Sequence, residues 1–193
     1  MLPKEIQQLL SMPGTVISSS YQPIEIYLGG PVMSLIAETP SYALQWRQVF
    51  FPKMLNTFLE EENIIDPPLF KFHNPCEGMS TKENSFSLNE SNSFLYNSKF
   101  IFEKCIWQIE RSSILLFNFL EDGGSSSLGS IWEAGLGYGT DKTIIYIIPE
   151  ESEMRSHPMI EHSADFICPD LKTACRALLF SALKIQNSNE SFI

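Results

Sequence analysis

At 193 residues the chain is long enough to bury one substantial core and too short for two comfortable ones. Hydrophobic residues at 44% and charged residues at 19% exclude a disordered chain. A formal net charge of −10, with an isoelectric point near 4.7, argues against nucleic acid or an anionic membrane as partner, because binding a polyanion needs clustered Lys and Arg. A small anion held by backbone N–H groups and one or two Arg residues stays compatible with that charge.

The opening residues MLPKEIQQLL carry a charge pair and two glutamines where a secretory peptide needs a longer apolar core, so no signal sequence is expected. The first 20 or so residues read as a loosely held end. Ile24 to Leu28 (IEIYL) is the first strand, closed by Gly29, Gly30 and Pro31. From Ser41 to about Glu62, Leu44, Val49, Met54, Leu55, Phe58 and Leu59 recur at helical spacing, with Pro52 expected to kink or break the helix. A second strand, Leu69 to Phe72, ends at Asn74-Pro75. Residues 80–94, dense in Ser and Asn, read as an insertion that is either a lid or a disordered loop.

Phe100 to Arg111 repeats the helical pattern through Phe102, Ile106 and Ile109. Ser113 to Leu120 (SILLFNFL) is a third strand, closed by Glu121-Asp122-Gly123-Gly124, and Leu128 to Gly139 is apolar almost all round, as a helix buried against a sheet would be. Thr143 to Ile148 (TIIYII) is a fourth strand, closed by Pro149. A weaker fifth, Asp165 to Ile167, precedes Pro169 and a helix to about Leu183, with a loose tail from Gln186. Near-continuous apolar strands alternating with helices predict an α/β fold: one domain over residues 1–193 with its core at about 22–185. Its expected form is a flavodoxin-like or Rossmann-like three-layer sandwich with a five-stranded, mostly parallel sheet.

Cys76, Cys105, Cys168 and Cys175 show no zinc-type spacing and read as reduced structural thiols. No apolar run approaches the roughly 20 residues of a membrane span, and the expected setting is cytoplasmic. Trp46, Trp107 and Trp132 fall on helices and are expected in the core.

In an open parallel sheet, ligands bind beyond the carboxyl ends of the strands. That rule gathers Gly29-Gly30, Asn74, the Asp122–Ser127 loop and Pro149–Met159 around one crevice. Within "GSSSLGSIWEAG", residues 124–135, a flexible loop leads into a helix start whose unpaired N–H groups suit an anion, and Glu133 follows about a turn later. The same glutamate also completes a capping box with Ser130, a purely structural use.

Two stretches carry a likeness: Ile26-Tyr27-Leu28-Gly29-Gly30-Pro31, and Gly129-Ser130-Ile131-Trp132-Glu133-Ala134-Gly135. Their order and spacing resemble the nucleoside 2-deoxyribosyltransferase family and its relatives, the nucleoside 5'-monophosphate N-glycosidases, with "IYLAGP" and "G-x-x-x-E-x-G" segments. Trp46-Arg47, His73-Asn74-Pro75 and Phe102-Glu103 extend the likeness over most of residues 24–180. The resemblance implies attack by Glu133 on the anomeric carbon of a nucleoside or its 5'-monophosphate, with no cofactor or metal. It implies that the Tyr27 hydroxyl orients Glu133. The family's general acid is an aspartate on the helix before the third strand; here Cys105 falls at that position, and the resemblance makes Glu103, the nearest acid, the candidate for that role.

Ser127-Leu128-Gly129 matches the monophosphate-cleaving branch. That implies a phosphate cradle of Gly29, Gly30, Ser127 and Gly129 with Arg47 as counter-charge, Asp122 being the alternative holder of a sugar hydroxyl. The resemblance also implies that His157 and Met159 fall where the family has a loop that contacts the base, and that the chain forms a homo-oligomer. Two other readings stay open: a phosphoribohydrolase of the cytokinin-activating type, whose signature lacks its proline here, and a nucleotide-sensing module without turnover.

Overall fold

The computed structural model describes residues 22–30, 45–75, 98–120 and 128–190. Five apolar runs form strands β1 (Ile24–Gly29), β2 (Phe70–His73), β3 (Ile114–Asn118), β4 (Thr143–Ile147) and β5 (Phe166–Cys168). All pair in parallel in the order β2-β1-β3-β4-β5, which is the flavodoxin-like order expected. Helices α1 (Phe51–Glu61), α2 (Ser98–Arg111), α3 (Leu128–Gly139), the short α4 (Pro158–Ser163) and α5 (Leu171–Glu190) cover the sheet.

Strand alternation divides the core in two. Ile24, Ile26 and Leu28 of β1 join Ile114, Leu116, Ile145 and Ile147 against α1 and α5. Tyr27, Leu115, Phe117, Ile144 and Tyr146 face the other way, against Ile109 of α2, Ala134 of α3 and Ile160 of α4. β3 is buried along its whole length, as a central parallel strand must be. Gly137 lets α3 settle onto the sheet, because a Cβ there would collide with the Leu115 side chain.

Several helical expectations are corrected. Pro52 does not end a helix: the π-helical turn Trp46–Phe50 runs directly into α1, so the proline expected to kink or break the helix sits at a change of helix type within a continuous helical run. That turn rotates the pattern, so Trp46 and Phe51 are buried while Val49 and Met54 are exposed. Trp107 and Trp132 are likewise exposed rather than core. α3 is not buried all round: Leu128 and Tyr138 also face outward. α5 continues to Glu190 with Gln186 buried, so the chain is held beyond the point where a loose tail was expected. The 80–94 insertion and the first 20 residues lie outside the described residues.

At the amino end of β1, Glu25 accepts hydrogen bonds from Lys71 at 3.3 Å and Arg111 at 3.4 Å and pairs with His73 Nε2. Desolvation alone would raise its carboxyl, but the hydrogen bonds from His73, Arg111 and Lys71 outweigh it and hold the group down at about 2. A depressed folded-state value gives stability that is present above the ordinary 4.5 and lost as pH falls toward 2. Glu25→Gln is therefore expected to cost about 1 kcal/mol at pH 7, the water-facing flank of the cluster screening it, and nothing near pH 2. Urea titrations of both proteins at the two pH values measure this; an equal loss at both would refute the ionic account.

Candidate functional site

The strand order places the topological switch point between β1 and β3: the helix following β1 lies on one face of the sheet and the helix following β3 on the other. At this point β1 ends in Gly29-Gly30 and β3 in Asn118. Gly30 has φ +131°, and a Cβ there would lie 2.6 Å from the Asn118 carbonyl oxygen, so only glycine allows the two strand ends to approach this closely. The Asn118 side chain accepts a hydrogen bond from Leu120 N at 3.0 Å, turning the chain out of β3.

Arg47 leaves the π-helical turn and reaches into this junction. It is 2% exposed. Its Nε donates to Leu28 O at 2.9 Å and its Nη2 to Gly30 O at 2.8 Å, while the guanidinium stacks 4.7 Å from the Trp46 ring centroid. One arginine thus pins the end of β1 and brings a fixed positive charge to this junction. π-helical turns are found disproportionately at functional sites.

Tyr27 lies two residues before Gly29, on the side of β1 facing α2 and α3, and is wholly buried. Its hydroxyl has no well-formed hydrogen bond among the described residues. The groups that act on it are Glu133 from the second turn of α3 and Cys105 from the middle of α2. Burial first, and then the neighbouring Glu133 charge, push the Tyr27 hydroxyl well above its usual value.

Glu133 is the chemical centre of this group. Burial raises its carboxyl from 4.5 to about 7, against the nearby Tyr27 hydroxyl, the charge of Arg47 and the nearby Cys105 thiol, each of which favours the carboxylate. A carboxyl poised near neutrality beside a buried hydroxyl and an arginine can attack an electrophilic carbon as the carboxylate, or donate a hydrogen bond as the acid.

The structure therefore brings together Glu133, Tyr27, Arg47, Gly29 and Gly30. Asn74 is buried at the carboxyl end of β2, on the same edge of the sheet. Gly129 is exposed in the first turn of α3. Glu103 does not join them: it is exposed and pairs with Lys99 at 3.7 Å along the outer side of α2. His157 caps α4, its Nδ1 accepting from Met159 N at 3.3 Å, and Met159 is exposed. Among the described residues, neither makes a hydrogen bond or ring contact with the Glu133 group. Asp122 and Ser127 lie outside the described residues. Asn118 was missed by sequence reasoning; its signal was a polar residue interrupting an otherwise apolar strand.

No protein-family model matches the chain, and no curated relative matches it in sequence. In structure it is similar to a conserved protein from Enterococcus faecalis V583 known from a crystal structure, with a TM-score of 0.53 and 12% identity, covering 86% of this chain and 99% of that one. At that identity the likeness concerns the fold. Among the described residues no helix is long and apolar enough to cross a membrane.

Proposed function

We propose that the protein cleaves or exchanges the N-glycosidic bond of a nucleoside, deoxynucleoside or nucleoside 5'-monophosphate, with Glu133 as nucleophile. The observation that carries this reading is the convergence of Glu133, the buried Tyr27 hydroxyl and Arg47 at the β1–β3 switch point. A Glu133 carboxylate oxygen attacks the anomeric carbon; the carbon–nitrogen bond breaks and its electron pair leaves with the base. The departing base takes its proton from solvent, since Glu103 faces away on the outer surface of α2. Water or a second base then displaces Glu133, so two inversions give net retention. Tyr27 holds the carboxylate in line, and Arg47, with the backbone of Gly29 and Gly30, favours an anionic 5' group.

Chromatography of deoxynucleosides and their 5'-monophosphates, incubated with and without a second free base, tests the reaction. Base release by the wild type and none by Glu133→Ala is the expected result, and a new nucleoside in the presence of the second base would identify transfer. The nucleophile must be ionised, so kcat/KM is expected to rise with pH through about 7. Nucleotide binding seen by thermal shift with no release across the panel would overturn the reaction. It would favour a sensing module in which a protonated Glu133 donates to a ribose hydroxyl.

A further inference from the structure

Helices α2 and α3 meet along a seam beside Tyr27. Phe102 and Trp132 close its outer side, their ring centroids 5.0 Å apart. One turn further along α2 lies Cys105, 8% exposed, and one turn beyond that lies Ile109, which is wholly buried in the same core cluster as Tyr27 and Ala134. On α3, Glu133 falls between Trp132 and Ala134. The thiol and the carboxyl are thus brought together inside the seam, next to the Tyr27 hydroxyl.

Among the described residues, the other ionisable side chains of these elements turn elsewhere. On α2, Lys99 pairs with Glu103, Lys104 donates to Pro75 O at 3.4 Å, Arg111 reaches Glu25, and Glu110 is exposed. Tyr138 of α3 and Glu161 and His162 of α4 are exposed as well. Glu133 therefore faces Tyr27 from β1, Cys105 from α2 and, through its charge, Arg47 from the π-helical turn. A carboxylate taken out of water needs donors on its oxygens. The Arg47 Nε and Nη2 are committed to Leu28 O and Gly30 O, which leaves the hydroxyl and the thiol to supply them. The Tyr27 hydroxyl, wholly buried and without a well-formed bond of its own, marks this space as one prepared for a bound group.

We propose that Cys105 is a positioning residue of this site: its thiol donates to the Glu133 carboxylate, so that one donor from β1 and one from α2 fix the carboxylate while an oxygen stays free to react. A thiol suits the place because S–H is a weak donor. It directs the carboxylate and leaves its electron pairs available, where a hydroxyl or an ammonium would hold them more firmly. That the positioned group is a nucleophile rests on the reaction proposed above; that the thiol holds it does not.

The stability gap between a chain and its Glu133→Gln counterpart grows above pH 4.5 and levels off at the folded value of Glu133, so urea midpoints read that value without substrate. With Cys105→Ala in both chains, a donor to the carboxylate is gone, and the plateau is expected about half a pH unit or more higher. Cys105→Ser restores a donor and should return the plateau to the wild-type position or below it. Alanine and serine differ little in volume, so a packing role would move both alike; coincident shifts, or none, would overturn the proposal. The infrared S–H stretch tests the same contact with Cys105 in place. One band is expected to move as pH crosses about 7 in the wild type and to stay still in Glu133→Gln, since burial holds Cys168 and Cys175 near 12 and they do not titrate there. A spectrum with no such band would also overturn it. Shifts of the expected kind in a protein that releases no base would uphold Cys105 as the group that holds Glu133 and sink the glycosidic reading alone.

Discussion

Glu133→Gln is expected to make the protein more stable at pH 8 while removing the proposed glycosidic activity. The folded structure raises this carboxyl from 4.5 to about 7, so between those values the folded chain holds a proton that the unfolded chain releases. Stability from this group is therefore full below 4.5 and lost as pH rises through about 7. Above that, each unit of displacement corresponds to 1.36 kcal/mol, and the shift costs the wild type about 3 kcal/mol. Glutamine has the same shape, does not titrate and escapes that cost. Urea midpoints should agree at pH 4 and diverge in favour of the variant by pH 8. A stability difference that does not change with pH would show that Glu133 is not held in a desolvated site.

The activity side of the same variant has the opposite sign. An amide is a far weaker nucleophile than a carboxylate, and removal of a nucleophile costs on the order of 10⁴-fold or more in kcat. Gain of stability with loss of function at one residue is what a site under functional constraint produces, since a residue kept only for capping would lose stability when changed. The pairing thus separates the chemical use of Glu133 from the structural one that Ser130-x-x-Glu133 also allows.

How far the sequence disclosed this site depends on the residue. Tyr27 and Glu133 were legible because β alternation sends Glu25, Tyr27 and Gly29 to one side of β1, and the helix after β3 starts above that side. Strand order followed from continuous apolar runs separated by helices. Arg47 was named as a counter-charge, but its burial and its hold on two carbonyls of β1 were not legible. Both depend on a π-helical turn that no local composition marks. The outer face of α3 was misread for a different reason: a helix with almost no charge reads as buried all round from sequence, whereas only its Ser130, Ala134 and Gly137 side is buried against the fold. Pro52 was expected to kink or break a helix, and only the structure shows that the chain stays helical through it by way of the π-helical turn.

Arg47→Met is expected to be the most destabilising single change at the site. Methionine can occupy much of the volume and removes the cost of burying a charge. Against this, Leu28 O and Gly30 O lose donors at 2.9 and 2.8 Å in a place sealed by the close approach of Gly30 to Asn118. Hydrogen bonds from charged groups contribute about 1.5–3 kcal/mol each, and the stranded carbonyls should dominate, giving a net loss of about 3 kcal/mol at pH 6. At pH 8 the loss should grow, because the arginine charge favours the Glu133 carboxylate, and without it the Glu133 value climbs above about 7. Arg47→Lys separates the two effects. Lysine keeps the charge, so the pH dependence of activity should stay near that of the wild type, but a single ammonium cannot reproduce the fork to both carbonyls, and stability still falls. In the Arg47→Met, Glu133→Gln double variant, the pH-dependent part of the loss should vanish and the carbonyl part persist. If the extra loss at pH 8 survives in the double variant, Arg47 does not act on Glu133 through charge, and its role is confined to closing the end of β1.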